Sequence, residues 1–518
     1  MIWIIILGLI IITILLISLK RYLIKKYLMR QYNSGVGLQY RDFTKEYLQF
    51  NENKSIDKET FIDFEMPQIL EKINYTYTQI GNEYLYNLFF KEKNDFTVQE
   101  TIIKKLNNQN KLAEIIYQLN KLNKDYVPIL SITKNLQKFS SKYYPIIAII
   151  SIMEIASMIA TIINFNNFYF IIIIFLFSLL LNTQLSQKTG SINLQTSFIN
   201  DMLRVSSKLL KTNIYPADSQ NKLFTALKDL KKMTKLTYYF NIVKQIDIFG
   251  IFELLNSIFF IDILQILYLA KRNEQVKHDI FILYESIGLL DTCITVKVNR
   301  NLLDICIPEV IKEKRIDIVE GYHLLIDKPV KNTINLKNNS IITGSNASGK
   351  STFLKMIGAN LLLAKALNIS FAKEFKYYPF ALISSIHMKD DIIRGDSFYV
   401  KEIKRLKYIT DHANNQESLI LIDEILKGTN EKERILIARA ILKYLFESDS
   451  IIIVTTHDTK LANDFNRTDK YCFNDLKKDN NIIFDYLIRE GVCTVGNAIA
   501  IVKSLNFNQS IIKEIETC

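Results

Sequence analysis

Residues Gly344-Ser345-Asn346-Ala347-Ser348-Gly349-Lys350-Ser351-Thr352 constrain this chain more than any other stretch. A glycine, four residues, then Gly-Lys-Ser is the spacing of a loop that wraps phosphate. The loop follows the strand-like "SIIT" and precedes the helix-like "STFLKMIGANLLLAKAL", so the chain must build a strand, a tight turn and a helix here. Gly344 and Gly349 let the backbone turn its N–H groups toward phosphate oxygens, and the helix N-terminus adds positive potential. Lys350 is placed to reach the β- and γ-phosphates, and the Ser351 hydroxyl to ligate Mg²⁺. ATP and Mg²⁺ are therefore the expected ligands.

Two further strand ends complete the pattern. "LILIDEI" puts Asp423 at the end of an apolar run, 73 residues beyond Lys350, where it can hold a water bound to Mg²⁺. Glu424 follows and is placed to polarise an attacking water, a contribution of about 10²–10⁴-fold in general base catalysis. "IIIVTTHD" ends a third apolar strand in His457, which can hydrogen-bond the γ-phosphate and report its loss. From about Tyr322 onward, β-rich runs ("SIITG", "FALISSI", "LILID", "IIIVTTH") alternate with helical stretches. That alternation predicts a mainly parallel sheet flanked by helices.

The N-terminus has a different texture. Ile2–Leu19 is 18 residues without a charge, close to the ~20 that span a bilayer as a helix. Lys20, Arg21, Lys25, Lys26 and Arg30 follow it and no basic residue precedes it, which puts the C-terminal flank in the cytosol and disfavours a cleaved signal. A second apolar zone at 145–185 predicts a transmembrane hairpin, its outer flanks marked by Lys138, Lys142 and Lys188 and its first span interrupted by Glu154. A third run, 252–270, contains Glu253 and Asp262 and reads as a soluble core helix. The remainder of 31–144 and 186–325 shows apolar residues at helical spacing, as in "EMPQILEKINYTYTQIGNEYLYNLFF".

Net charge is +12 with a pI near 9.1. This suits a phosphate-bearing partner or an anionic membrane surface, although a chain this rich in Ile, Asn and Lys carries the charge as bulk composition too. The five cysteines are scattered without CxxC or Cys/His spacing, which fits a reducing compartment and argues against disulfides or zinc.

Taken in order, "ITGSNASGKSTFLKMIG", "GDSFYVKEI", "LIDEILKGTNEKER" and "VTTHD" resemble the ATPase domain of MutS-family proteins. "GYHLLIDKPVKNTINL" looks like the family's lead-in, "IIFDYLIREGVCTVGNAIAIVKSLNFNQSIIKEI" like its C-terminal strand, Gly turn and closing helices, and "INYTYTQIGNEYLYNLF" like the start of its helical core. The resemblance covers about 200 residues well, 320–518, and 55–320 more faintly. Its nearest form is a membrane-anchored MutS-like branch. It implies an ABC/MutS-type α/β P-loop NTPase domain behind a mostly α-helical core with transmembrane helices. It also implies a homodimer in which Ser397 reaches across to the γ-phosphate of the partner's ATP and Lys427–Asn430 lies along the shared interface. The implied organisation is an N-terminal anchor and basic flank (1–30), helical core (31–144), transmembrane hairpin (145–185), helical core and lever (186–320), and ATPase domain with dimerisation helices (321–518).

Some residues depart from the family pattern. Pro329 and Val330 stand where an aromatic stacks on adenine, and Ser345 and Ala347 where the loop usually carries Pro and Met. The mismatch-reading domain is expected to be missing ahead of the core. Phe90-Lys91-Glu92 resembles its wedge triplet but falls inside the helical core. DNA is thus a partner allowed by resemblance, through phosphate contacts and without base readout, and the protein partner is unknown. The expected setting is the bacterial inner membrane with the ATPase domain in the cytoplasm. Two other classes compete. An ABC-class transporter predicts an LSGGQ-like signature and about six spans per half, neither of which is found. A nonhydrolytic ATP-binding scaffold is opposed by intact Lys350, Ser351, Asp423, Glu424 and His457.

Overall fold

The computed structural model describes residues 2–35, 56–91, 94–123, 126–129, 197–233, 273–345, 348–386, 398–426, 431–478 and 481–493, with isolated positions elsewhere. The hairpin expected at 145–185 and the core helix expected at 252–270 fall outside them, apart from scattered helical positions between 149 and 180. The chain forms two compact units.

The first unit takes in Met1–Phe50, Asn74–Tyr86 and Asp95–Val298 and is helical in its described residues. The first helix, α1, runs Ile2–Ser34. Its stretch Leu7–Ser34 is long and apolar enough to cross a membrane, and Ile11, Ile14, Leu15, Leu16 and Ile17 are all exposed.

Within the first unit, the basic end of α1 is held by Glu114. Arg21 donates to both Glu114 oxygens at 2.7 Å, and Lys25 reaches Oε2 at 2.5 Å. Burial pushes the Glu114 carboxyl up, but the donors from Lys25 and Arg21 outweigh it and hold it at about 2. The same cations lie over the Tyr117 ring, Arg21 at 5.3 Å and Lys25 at 5.7 Å.

Fully buried Asp291 organises another corner of this unit. It accepts from the backbone N–H groups of Tyr77 and Thr78 at 2.8 Å each and from the Thr78 hydroxyl at 2.7 Å. That fixes the turn ahead of the helix Gln79–Leu88.

The second unit takes in Asn51–Ile73, Asn87–Asn94 and Asn299–Cys518. Its two short leading helices are α2 (Lys58–Asp63) and α3 (Met66–Ile73). Asp57 caps α2 by accepting from Thr60 N at 2.9 Å. Phe90, from the wedge-like triplet, is buried with its ring 5.1 Å from that of Phe61, so its role is packing.

Strands of the second unit begin ahead of Tyr322. They are β1 (Glu309–Val310), β2 (Ile316–Gly321), β3 (Asn332–Leu336), β4 (Ser340–Gly344), β5 (Glu374–Tyr377), β6 (Ala381–Ser385), β7 (Ser418–Asp423), β8 (Ile451–Thr456), β9 (Asp469–Lys478) and β10 (Asn481–Glu490). Among the described residues, β1-β5-β2-β3 form a small mixed sheet and β10-β9-β4-β8-β7-β6 a six-stranded one. In the larger sheet β4, β6, β7, β8 and β9 run parallel and β10 pairs antiparallel to β9. The four strands read from the sequence are thus β4, β6, β7 and β8. Strands β4, β7 and β8 are buried at every position, as near-continuous apolar runs require when helices cover both faces.

Helices α4 (Lys350–Leu367), α5 (Phe398–His412) and α6 (Glu431–Phe446) connect the strands. Leu406 and Ile409 of α5 and Leu442 and Leu445 of α6 pack with Ile420, Ile422, Ile452 and Val454 in one core. The strand order reverses around β4, with β8 on one side and β9 on the other. Ligands of open α/β sheets settle at such a switch point, outside the carboxyl ends of the strands.

Asp291→Ala leaves two buried N–H groups and a hydroxyl without their acceptor and should cost about 3 kcal/mol or more. Burial pushes the Asp291 carboxyl up to about 7, against the pull of the Tyr77 and Thr78 donors. An unfolded aspartate titrates near ~3.9. With a raised folded value, the stability Asp291 supplies is full at low pH and is lost as pH rises through 7. Denaturant unfolding between pH 5 and 8 should show the wild-type advantage over Asp291→Ala shrinking with pH; a flat difference would refute this.

Candidate functional site

At the end of β4 the chain turns through Gly344, with φ 149°, and enters α4 through Gly349, with φ 105°. Other residues adopt the left-handed values only with strain, and a Cβ at Gly344 would also lie 3.0 Å from the Phe473 carbonyl oxygen. Lys350, the first residue of α4, is buried and folds back to donate to the carbonyls of Gly344 at 2.8 Å and Ser345 at 2.7 Å. Its ammonium therefore sits inside the loop's curve. Ser348 is buried and its Oγ has no hydrogen-bond partner among the described residues, an orphaned polar atom of the kind a phosphate oxygen would satisfy. Thr352 lines the same cavity, whereas Asn346 and Ala347 lie outside the described residues.

Ser351, in the first turn of α4, donates to Asp423 Oδ2 at 2.7 Å. The Thr455 hydroxyl of β8 donates to Asp423 Oδ1 at 2.6 Å. These are hard oxygen donors, few in number and beside a phosphate-sized loop, which is the set that Mg²⁺ prefers when phosphates and water complete its shell. The sequence-predicted metal pair is thus brought together.

Glu424 follows Asp423 with φ 59°, and Leu426 has φ 60°. Positive φ at residues other than glycine costs on the order of 1–3 kcal/mol and persists where surrounding bonds enforce it. Here the Glu424 N–H donates to Thr455 O at 3.1 Å, with Thr455 Oγ1 at 3.2 Å. Glu424 lines the cavity, and its Oε1 lies 3.5 Å from Nδ1 of His457, which is not among the lining residues. His457 Nε2 lies 3.2 Å from Arg434. A guanidinium can only donate, so Nε2 accepts and the Nδ1 proton faces Glu424. Glu424, His457 and Arg434 form one line. Arg434 stands inside the quoted "NEKER", but nothing in its spacing marked it as a partner of His457. Ser397 and Lys427–Asn430 lie outside the described residues.

The cavity holds about 490 Å³ and is bounded by the phosphate loop, Glu424, the segment 321–332, Phe473 and Tyr486. Pro329 and Val330 line it, as their position before the loop suggested. Tyr486 does so from β10, and no local pattern signalled it. A register shift between Phe484 and Ile488 bulges the strand, and Tyr486 takes φ 54°. Asn332 pins the bulge, donating to Tyr486 O at 3.0 Å and accepting from Ile488 N at 2.9 Å.

Arg434→Ala should free the His457 ring and reduce any turnover about tenfold, the weight of one hydrogen bond to a charged group. Nucleotide affinity should be unchanged. Steady-state kinetics with a binding titration checks both, and unaltered turnover would show that the contact is incidental.

The family model for MutS domain V, a P-loop ATPase-type domain, matches residues 340–518. MutS protein homolog 4 of Mus musculus is 32% identical over 195 residues, covering 36% of this chain and 20% of that protein. DNA mismatch repair protein MutS of Microcystis aeruginosa is 30% identical over 205 residues, 36% of this chain and 23% of the relative. DNA mismatch repair protein MutS of Thermotoga maritima is 27% identical over 205 residues, 38% and 26%. The chain thus spans about a fifth to a quarter of the length of these curated relatives. The matched region, residues 340–518, holds the phosphate loop, the Asp423-Glu424 strand end and His457, and it is this region that is similar to MutS domain V and to MutS proteins.

Proposed function

We propose that this protein is a membrane-anchored ATPase that works as a dimeric conformational switch. The observation that carries the reading is the bonding beneath the cavity. Lys350 is folded into its own loop, and Ser351, Asp423 and Thr455 are linked at hydrogen-bond distance beside it. The match of residues 340–518 to MutS domain V supports the same reading, since MutS-family proteins use ATP with Mg²⁺.

Lys350 leaves the Gly344 and Ser345 carbonyls for the β- and γ-phosphates when a triphosphate enters, and the loop N–H groups and Ser348 Oγ hold the remaining oxygens. Ser351 and Asp423 would hold Mg²⁺, which would supply positive charge to offset that of the phosphates. Glu424 accepts the proton of the attacking water, oriented by the Nδ1–H of His457. Tyr486 offers the base an aromatic face in the cavity that Pro329 and Val330 also line. Ser397 of a second copy completes the site, so ATP closes the dimer and hydrolysis reopens it. DNA, if engaged, is held through phosphates by Lys and Arg, without reading bases.

Lys350→Ala should abolish ATP binding, and Glu424→Gln should keep it while turnover falls about 10²–10⁴-fold. Tyr486→Ala should weaken binding about 5- to 100-fold, the worth of one base–aromatic stack at ~1–3 kcal/mol. Titration with a fluorescent ATP analogue and a phosphate-release assay measure these. Wild-type affinity in Lys350→Ala would end the reading.

The membrane part rests on α1, whose apolar side chains stand exposed while its basic end is docked on Glu114 and Tyr117. Full-length protein should resist alkaline extraction from membranes. Deletion of residues 1–19 should leave part of it bound through 145–185, and full release on that deletion would remove the hairpin from this reading.

A further inference from the structure

The second unit includes a short piece of chain that lies far upstream of the ATPase strands. Asp57–Glu65 covers α2 and the turn after it, where Glu65 takes φ 56°. Its bonds go to three parts of the unit that the proposed reaction has to coordinate.

At its far end, Glu65 Oε1 accepts from Lys355 at 2.8 Å, and Lys355 lies one and a half turns along α4 from Lys350. The Phe64 ring fills the bare face of Gly358 on the same helix; a Cβ there would lie 2.1 Å from the ring. In the middle, buried Asp63 closes the end of β6, accepting from Ser384 Oγ at 2.6 Å and Ile386 N at 2.9 Å. At the near end is Arg405 of α5, buried, with Nε on the Ser384 carbonyl at 2.7 Å. One guanidinium arm reaches Asp57 Oδ1 at 3.1 Å and the other Asp57 Oδ2 at 3.2 Å, in a two-pronged pair. Arg405 also donates to Thr60 Oγ1 at 2.8 Å, and Glu59 lies 3.2 Å away. Helix α5 begins at Phe398, the residue immediately after Ser397.

Packing alone does not account for this chemistry. Phe61 and Phe64 would bury α2 without help, and a buried ion pair adds little net stability over apolar residues of the same volume. What a forked guanidinium–carboxylate pair adds is direction, because its planar geometry fixes orientation as well as distance. The direction fixed here is that of α5 relative to β6 and α4.

We propose that Asp57–Glu65 is a tie bar of the ATPase unit, with Arg405 a positioning residue that sets turnover by holding α5 in register with the phosphate-loop helix. This rests on the ATPase reading above. None of residues 57–65 is among those lining the cavity, so cutting the tie bar should spare binding and damage the step that needs α5 in place.

The experiment uses full-length protein in detergent carrying Arg405→Lys, which keeps the charge and loses the fork, or Asp63→Ala, which removes the Oδ2 acceptor shared by Ser384 Oγ and Ile386 N. ATP affinity, kcat and KM, and backbone hydrogen exchange over 398–412 are measured on each. The expected result is a kcat at least tenfold lower, affinity within threefold of wild type, and α5 amides exchanging at least tenfold faster while those of β7 and β8 do not change. A folded Arg405→Lys protein with wild-type kcat and wild-type exchange overturns the proposal. So does a uniform rise in exchange across the unit with affinity and kcat falling together, which is the mark of a merely structural role. If Arg405→Lys does not fold, Asp63→Ala decides by the same criteria. If the wild-type protein binds no ATP or does not turn it over, the ATPase reading fails, and selective loosening of α5, or its absence, still decides whether the tie exists.

Discussion

Asp423 accepts one hydrogen bond from Ser351 at 2.7 Å and another from Thr455 at 2.6 Å. Hydrogen bonds to a charged acceptor in a buried setting are worth about 1.5–3 kcal/mol each, enough to fix three element ends at once. They join the first turn of α4 to β7 and β8. Thr455 then carries the constraint one residue further, because its carbonyl holds the Glu424 N–H and with it the unusual backbone of that turn. The direction of Glu424, and hence its approach to His457, follows from the way Asp423 is satisfied. In this sense the carboxylate at the end of β7 also sets the direction of the carboxylate that follows it.

A second constraint operates at the N-terminal helix. Its apolar stretch leaves side chains exposed, yet its basic end does not hang free. Arg21 and Lys25 share Glu114 and lie over Tyr117, so two cations that would otherwise face water or headgroups are spent on orienting α1 within the helical unit. Charge that sequence reading assigns to a membrane surface is here partly structural. That distinction is invisible in a count of lysines and arginines.

What could be read from the sequence was local. The phosphate loop, the acidic strand end, the terminal histidine and the four apolar strands each occupy a few consecutive residues whose pattern carries its own physics. They appear in the structure as β4, β6, β7 and β8 with Lys350, Ser351, Asp423, Glu424 and His457 gathered at one end. What could not be read depended on partners distant in sequence. Strand β2 has no apolar run and finds its place only by pairing with β3 and β5. Tyr486 reaches the cavity because of a bulge pinned by Asn332, 154 residues earlier. Arg434 looks like any surface cation of a charged helix start until His457 is set opposite it. Asp57 and Thr60 read as an ordinary helix cap, which they also are; their second set of bonds belongs to Arg405.

That last pairing bears on how the protein is made. Asp57 and Arg405 are separated by 348 positions, and Asp63 and Ser384 by 321. During synthesis the segment that will cap β6 leaves the ribosome long before any strand it caps exists. At about 5–20 residues per second, it waits on the order of tens of seconds before the Gly358 face that Phe64 fills exists. The first unit, whose residues lie almost wholly ahead of the strands, can settle during that interval, while the second must close one very large loop at the end. A chain built this way meets its greatest aggregation hazard during translation. Residues 57–65 must therefore stay unaggregated through that window for the finished site to form.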